Sequence, residues 1–280
     1  MKKTVLITFG LLLVLLRATT VQADNRRYIS LTPATTEILF ALGLNREIVG
    51  VSTFCNYPPE AGKKEKIGSF SDPNIEKIIS LNPDIVFCTG LEQATTVTKL
   101  RQLNLNVFVS DPSSIGELYQ SISDIGDATN RVKEALTLVT NIKNQIRQIQ
   151  QGQKLDIKVS KPKVFIEIWN EPLITAGKNS LVNELIETAG GINIAANTNK
   201  AYANFSAEQV IRKNPDCIIA TYMSGINPGN VFKNRLGWSN IAAVKNNRIY
   251  CDINPDLLLR PGPRIVEGIK ELHKRFYQNE

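Results

Sequence analysis

In a 280-residue chain with a single histidine, His273, chemistry has to be sought first among the carboxylates. Trp169-Asn170-Glu171-Pro172 follows the apolar run Val164–Ile168. An Asn-Glu-Pro at a strand end is where a retaining glycosidase on a (β/α)8 barrel would carry its acid/base. That mechanism needs a second carboxylate about 5 Å away, supplied by a later strand. Asp252 and Asp256, after the run Arg248–Cys251, are the ones on offer. A long stretch without strand signal, from about Ile115 to Gln153, breaks the eight-fold rhythm that a barrel requires. A glycosidase using Glu171 is therefore the distant alternative. The plainer reading makes this a strand-end loop whose Trp169 packs or faces a ligand.

Other catalytic sets are missing from the sequence. There is no G-x-S-x-G elbow, no phosphate loop and no G-x-G-x-x-G. One histidine excludes a multi-histidine metal site, and no nucleophile comes with an oriented base. No metal, no catalytic cofactor and no enzymatic activity are expected. Cys55, Cys88, Cys217 and Cys251 contain no C-x-x-C pair. They read equally as two disulfides, one within each half, or as small buried hydrophobes.

Two glutamates stand out by spacing. Glu76 follows Phe70-Ser71-Asp72-Pro73-Asn74-Ile75, and Pro83-Asp84 comes seven residues later. Glu208 follows Phe205-Ser206-Ala207, and Pro215-Asp216 comes seven residues later; the offset is 132 residues at both ends. Each half thus carries a glutamate near a helix start, a helix, an Asn-Pro-Asp turn and a buried strand. Asp72 or Ser206 as cap, with the acid complementing the helix dipole, accounts for one such glutamate. Two equivalent acidic points suit docking onto a two-fold partner. Aromatics at loop positions, Tyr57, Phe70, Trp169, Tyr202 and Tyr222, would line an apolar cleft for a large flat ligand. Asp256 and Arg260 flank Leu257, Leu258 and Leu259 on a loop and could hydrogen-bond ligand amides.

The elements that must position these residues alternate. Strands are predicted at Tyr28–Leu31, Ile48–Val51, Asp84–Cys88 and Val107–Val109, with helices at Thr35–Leu42, Ile75–Leu81 and Thr95–Leu103. Arg131–Gln150 repeats Val132, Leu136, Val139, Ile142, Ile146 and Ile149 at helical steps, which predicts one long amphipathic helix. Alternation resumes with Val164–Ile168, Ser180–Thr188, Glu208–Lys213, Cys217–Ala220 and Arg248–Cys251, closing with a helix from Pro263, in its first turn, to Tyr277. The pattern predicts an α/β protein with parallel sheets, which bind ligands beyond the carboxyl ends of their strands. Lys2, Lys3, the apolar run Val5–Leu16 and Val21-Gln22-Ala23 form a secretory signal peptide, cleaved after Ala23. Removal of Lys2, Lys3 and Arg17 lowers the net charge from +7 to +4, with 30 basic against 26 acidic side chains. No basic stripe is interleaved with aromatics, so nucleic acid is not an expected partner.

Seven stretches carry a family likeness. They are Ser30–Glu37 (SLTPATTE), Asn56-Tyr57-Pro58-Pro59, Asn74–Ile78 (NIEKI), Asn82-Pro83-Asp84, Ala189–Ile194 (AGGINI), Ser206–Val210 (SAEQV) and Arg260–Ile265 (RPGPRI). Their order and spacing over nearly the whole mature chain resemble the periplasmic substrate-binding proteins of cobalamin, haem and siderophore ABC importers, most of all the vitamin B12-binding members. The resemblance implies a class III periplasmic binding protein: a signal peptide at 1–23, an N-terminal Rossmann-like lobe at 24–126, one long linking helix at 127–158 and a second lobe at 159–280. It implies a periplasmic monomer holding a corrinoid between its lobes and delivering it to an inner-membrane permease dimer with its ATPase. Glu76 and Glu208 match the family's permease-docking glutamates. Tyr57, Phe70, Trp169, Tyr202 and the segment Asp256–Arg260 match its ligand-contacting positions. Phe70 and Tyr202 stand where the B12-binding members have tryptophan. Haem or a ferric siderophore is the alternative cargo; only Arg260 and Arg264 are candidate bases for an anionic chelate.

Overall fold

The structure, a computed structural model, describes residues 26–155, 160–222 and 228–277. The signal peptide and its cleavage site lie outside the described residues, as does the expected boundary at 158/159. The first lobe runs β1 (Tyr28–Ser30), α1 (Pro33–Ala41), β2 (Ile48–Val51), α2 (Pro59–Gly62), α3 (Ile75–Ser80), β3 (Ile85–Cys88), α4 (Ala94–Gln102) and β4 (Val107–Val109). Two helices follow, α5 (Ile115–Ala128) and α6 (Val132–Leu155). The second lobe runs β5 (Lys163–Glu167), β6 (Trp169–Asn170), β7 (Leu173–Ala176), α7 (Leu181–Thr188), β8 (Ile192–Asn193), β9 (Tyr202–Asn204), α8 (Ala207–Lys213), β10 (Cys217–Ala220), α9 (Pro228–Lys233), α10 (Ala242–Lys245), β11 (Ile249–Tyr250), α11 (Asp256–Leu259) and α12 (Ile265–Tyr277).

Both lobes are built on one plan. The first sheet has the order β2-β1-β3-β4 and the second β8-β5-β10-β11. Every pair in either sheet is parallel. In chain order each reads second, first, third, fourth. The central strands β3 and β10 are buried at every position because helices cover both faces. The Asn-Pro-Asp turns have the same geometry in each half. Asn82 and Asn214 both sit in the left-handed region, at φ 44° and 46°, where Asn is tolerated. The Asp84 carboxylate accepts from the Arg27 N–H at 2.6 Å, and Asp216 accepts from the Lys163 N–H at 2.8 Å. Each aspartate thereby pins the start of the neighbouring central strand.

The expected long helix is present as α6, and several other expectations need correction. Before it α5 ends at Ala128, and a turn with Asn130 at φ 57° redirects the chain into α6. Gly126 is required at that corner, since a Cβ there would lie 2.5 Å from Ala135 Cβ. The buried stripe of α6 is Ala135, Val139, Ile142 and Ile146. Val132 and Leu136, expected on the stripe, are exposed, because the packing of Ala135 under α5 sets the helix phase. Pro263 lies in a turn before α12, not in its first turn. Asp256–Leu259 is a short helix rather than a loop. Asn74, not Asp72, caps α3. The second lobe also gains an antiparallel annex, β6-β7-β9, that the alternation does not show. All four cysteines are free and buried. Burial pushes the Cys88 and Cys217 thiols up to about 12.

One core cluster draws residues from both lobes. It joins Tyr28 and Phe87 of the first to Val164 and Ile219 of the second through Ile142 and Ile146 of α6 and Ile269 and Leu272 of α12. A shared core of this kind restricts relative motion of the lobes more than a flexible linker would.

Candidate functional site

The first lobe opens a cavity of about 220 Å³ at the carboxyl ends of its strands. Thr32 follows β1, Thr89 follows β3, Ser110 and Asp111 follow β4, and all line it. Thr32 also caps α1, accepting from the Thr35 N–H at 3.2 Å, so Pro33, Ala34 and Thr35 present the helix start to the cavity. Phe70 forms part of the wall, and its carbonyl accepts from Gln93 Nε2 at 2.7 Å. Glu92 lines it and accepts from the Thr89 hydroxyl at 3.1 Å. The far wall comes from the second half of the chain: Leu259, Arg260 and Pro261.

That far wall is held by a buried ion cluster. Glu37 lies one turn into α1, almost wholly buried. Its carboxylate accepts from Arg264 Nε at 2.8 Å and Nη2 at 2.6 Å, and from Arg260 Nη1 at 3.4 Å. Arg260 also donates to Asn56 Oδ1 at 2.8 Å and pairs with Asp256 at 3.0 Å. The Arg264 guanidinium stacks 3.8 Å from the Tyr57 ring centroid. The Glu37 carboxylate, foremost through its hydrogen bond, raises the Arg264 pKa further. A second buried cluster ends β5: Arg235 donates to Glu167 at 2.6 and 2.7 Å, and Tyr222 donates to the same carboxylate. Burial and then the Glu167 hydrogen bond drive the Tyr222 hydroxyl up. The Arg235 guanidinium lies over the rings of Phe232 and Trp238.

The structure brings some of the expected residues together and separates others. Phe70, Leu259 and Arg260 line the cavity. Tyr57 is not on the wall; it stacks on Arg264, which shares Glu37 with the lining Arg260. Tyr202, on β9, is close enough to Glu92 for that carboxylate to add to burial in raising its hydroxyl. Trp169 is half-exposed on the annex, against Tyr222 with ring centroids 5.6 Å apart, and is not on the cavity wall. Leu258 is fully buried in the core and Leu257 nearly so, because α11 turns its apolar side inward. Leu258 has no face left for a ligand. Asp256 and Arg260 are already each other's partners. Glu171 sits exposed in the β6–β7 hairpin, while Asp252 is held by Arg275 at 2.6 Å and Asp256 by Arg260. Two four-stranded sheets replace the barrel that a glycosidase reading would need.

Residues missed by sequence reasoning include Thr89, Ser110, Asp111, Glu92, Glu37, Glu167 and Arg235. The first three stand just after strand ends, a position that marks ligand crevices in open sheets. Glu37 and Arg264 fall inside the quoted Ser30–Glu37 and Arg260–Ile265 stretches. Their pairing crosses 227 residues of chain, which spacing does not reveal.

Glu76 and Glu208 occupy matching places. Both are exposed, in the first turn of short helices, with Asn74 and Ser206 capping N–H groups at N3. Backbone hydrogen bonding, with the Ser206 hydroxyl second, holds the Glu208 carboxyl below its ordinary range.

The two-lobed plan, the shared core and the cavity at the strand ends define a two-domain solute-binding protein. Residues 29–254 match the family model described as periplasmic binding protein, and the chain belongs to that family. It is 37% identical over 263 residues to an uncharacterized ABC transporter substrate-binding lipoprotein, YvrC, of Bacillus subtilis, covering 92% of this chain and 82% of that one. A possible iron-binding (periplasmic solute-binding) protein of Staphylococcus epidermidis superposes with TM-score 0.80 at 33% identity, covering 90% of this chain and 99% of that one. The periplasmic vitamin B12-binding protein BtuF of Vibrio cholerae superposes with TM-score 0.75 at 26% identity, covering 90% and 96%. The chain is a substrate-binding protein of the ABC importer class, a family of binding proteins rather than enzymes.

Proposed function

We propose that this protein captures a corrinoid in its inter-lobe cleft, outside the inner membrane, and delivers it to an importer permease. The observation that carries the reading is the cavity itself. Phe70 stands on its wall, Tyr202 is within electrostatic reach of the lining Glu92, and its single lining base, Arg260, is already neutralised by Glu37 and Asp256. A cleft with an aromatic ring on its wall and no unpaired base suits a large flat ligand rimmed with amides. At about 220 Å³ the cavity is smaller than the roughly 300–1,000 Å³ of enclosing ligand pockets. The macrocycle therefore rests across the open cleft, with one edge in the cavity and Tyr202, and further out Trp169, on the second-lobe side.

Glu76 and Glu208 are the docking points, one per lobe, for the two halves of a permease dimer. The matching caps and turns present the two carboxylates alike. The protein is secreted by its first 23 residues and works as a monomer.

Calorimetric titration with cyanocobalamin, haem and a ferric siderophore in parallel tests the ligand. One-to-one corrinoid binding at nanomolar to low micromolar Kd is expected. An iron chelate binding more tightly would overturn the corrinoid assignment, and the Staphylococcus epidermidis likeness favours that second reading. Reversing both charges, Glu76→Lys with Glu208→Lys, is expected to leave ligand affinity intact and abolish uptake. A loss of ligand affinity instead would make the glutamates structural.

A further inference from the structure

Four charges of the far wall cancel locally. Arg260 and Arg264 are satisfied by Glu37 and Asp256 within a cluster that is largely removed from water. The other ionisable side chains on the cavity wall are both acids, Glu92 and Asp111. Glu92 is exposed and is held by the Thr89 hydroxyl rather than by a cation; among the described residues no lysine or arginine pairs with it. Asp111 rests against Gly90, whose Cα hydrogen side faces Asp111 Oδ2 so closely that a Cβ there would lie 2.9 Å from it. From the second lobe Tyr202 comes close enough to Glu92 that its hydroxyl is raised by partial burial and then by that carboxylate. The space between Glu92 and Tyr202 thus carries negative charge from one lobe and an un-ionised hydroxyl from the other.

We propose that Glu92 is a specificity-determining residue that accepts hydrogen bonds from carboxamide groups on the ligand rim and repels ligands whose rim carries carboxylates. The inference rests on the cleft being the ligand site and goes beyond it by naming the rim chemistry that is admitted. A carboxamide offers two N–H donors to the carboxylate. A carboxylate at the same place meets a like charge. Haem, with two propionates, and corrinoids whose side chains are free acids fall in the rejected class. Corrinoids with amidated side chains fall in the admitted one.

The test uses one macrocycle in two forms, dicyanocobinamide with amidated side chains and cobyrinic acid with carboxylates, together with haem. Each is titrated into the purified protein and into Glu92→Gln, with thermal melts confirming that both are folded. The amidated form is expected to bind at least about tenfold more tightly than the acid in the parent, roughly 1.4 kcal/mol. In Glu92→Gln that ratio should fall several-fold, and haem affinity should rise. The parent's ratio should also shrink at high salt, a response that a purely structural residue would not give. An unchanged ratio in a folded Glu92→Gln overturns the proposal. If neither corrinoid form binds but haem does, the corrinoid reading fails, and Glu92 is then judged by haem alone: stronger haem binding in Glu92→Gln upholds its role, and an unchanged affinity overturns it.

Discussion

Each lobe buries one glutamate and clamps it with arginine, yet the two clamps serve different ends. Glu37, in α1 of the first lobe, takes its arginines from the chain after β11, more than 220 residues away. Glu167, at the end of β5, takes Arg235 from its own lobe and shares it with Tyr222. The first clamp ties the lobes together and forms the far wall of the cavity. The second braces a platform on which Trp169 leans. Lobes with the same strand order therefore differ in what their buried charge does: one couples the lobes, the other stiffens a single lobe.

The largest expected effect comes from breaking these clamps. Glu37→Ala leaves the mostly buried Arg264 guanidinium without its carboxylate, while Arg260 keeps Asp256, and should destabilise by about 3–5 kcal/mol in urea unfolding. Hydrogen exchange should rise at α1 and in the 260–264 segment together. Glu167→Ala should fall toward the low end of that same range of about 3–5 kcal/mol, because Arg235 keeps more contact with water and its aromatic neighbours. Its exchange effects should stay within the second lobe. Exchange spreading into the first lobe from Glu167→Ala would erase the distinction drawn between the two clamps.

A smaller effect separates the two docking helices. Asn74→Ala and Ser206→Ala each remove a side-chain cap and should each lower stability by about 1 kcal/mol. Ser206→Ala should have the larger effect. There the cap is a reciprocal box, with Gln209 accepting from the Ser206 N–H at 3.0 Å. Equal shifts in thermal melts would show that the box adds nothing over the single Asn74 cap.

The smallest effect is pH-dependent. Glu117, near the start of α5, accepts from the Ser113 N–H at 2.7 Å and from its hydroxyl at 2.8 Å. The backbone N–H first, then the hydroxyl, holds its pKa below the ordinary value of 4.5. A depressed carboxylate contributes stability above its unfolded pKa and loses it as pH falls through the folded one. Glu117→Gln should therefore melt slightly below the parent at neutral pH and together with it in acid below the folded-state value. A gap that persists in acid would mean the glutamate acts through packing instead.

Much of the fold was legible in the sequence because it is written in local terms. Short apolar runs bounded by turn residues marked the strands: Ile48–Val51, Val107–Val109 and Cys217–Ala220 match end to end. The 132-residue repeat pointed to two equivalent halves, and the matching sheet orders and left-handed asparagines are its structural counterpart. The antiparallel annex was not legible. Its strands β6 and β9 are two and three residues long, too short for alternation to register. Leu258 was placed in the cleft by the family likeness of the Asp256–Arg260 segment, whereas the rotation of α11 turns it into the core.

What the sequence determined by itself is the class of object. It gave two α/β halves, a long helix between them, aromatics at loops and paired exposed glutamates. These depend on spacings of a few residues, where chain connectivity and helical or strand periodicity leave little freedom. The charge of the cleft was decided only in three dimensions. Arg260 and Arg264 read as free bases along the chain. Only the folded structure brings Glu37 and Asp256 against them and leaves Glu92 facing the cavity. The field at a site is a sum over groups brought together by folding, and sequence order does not carry that sum.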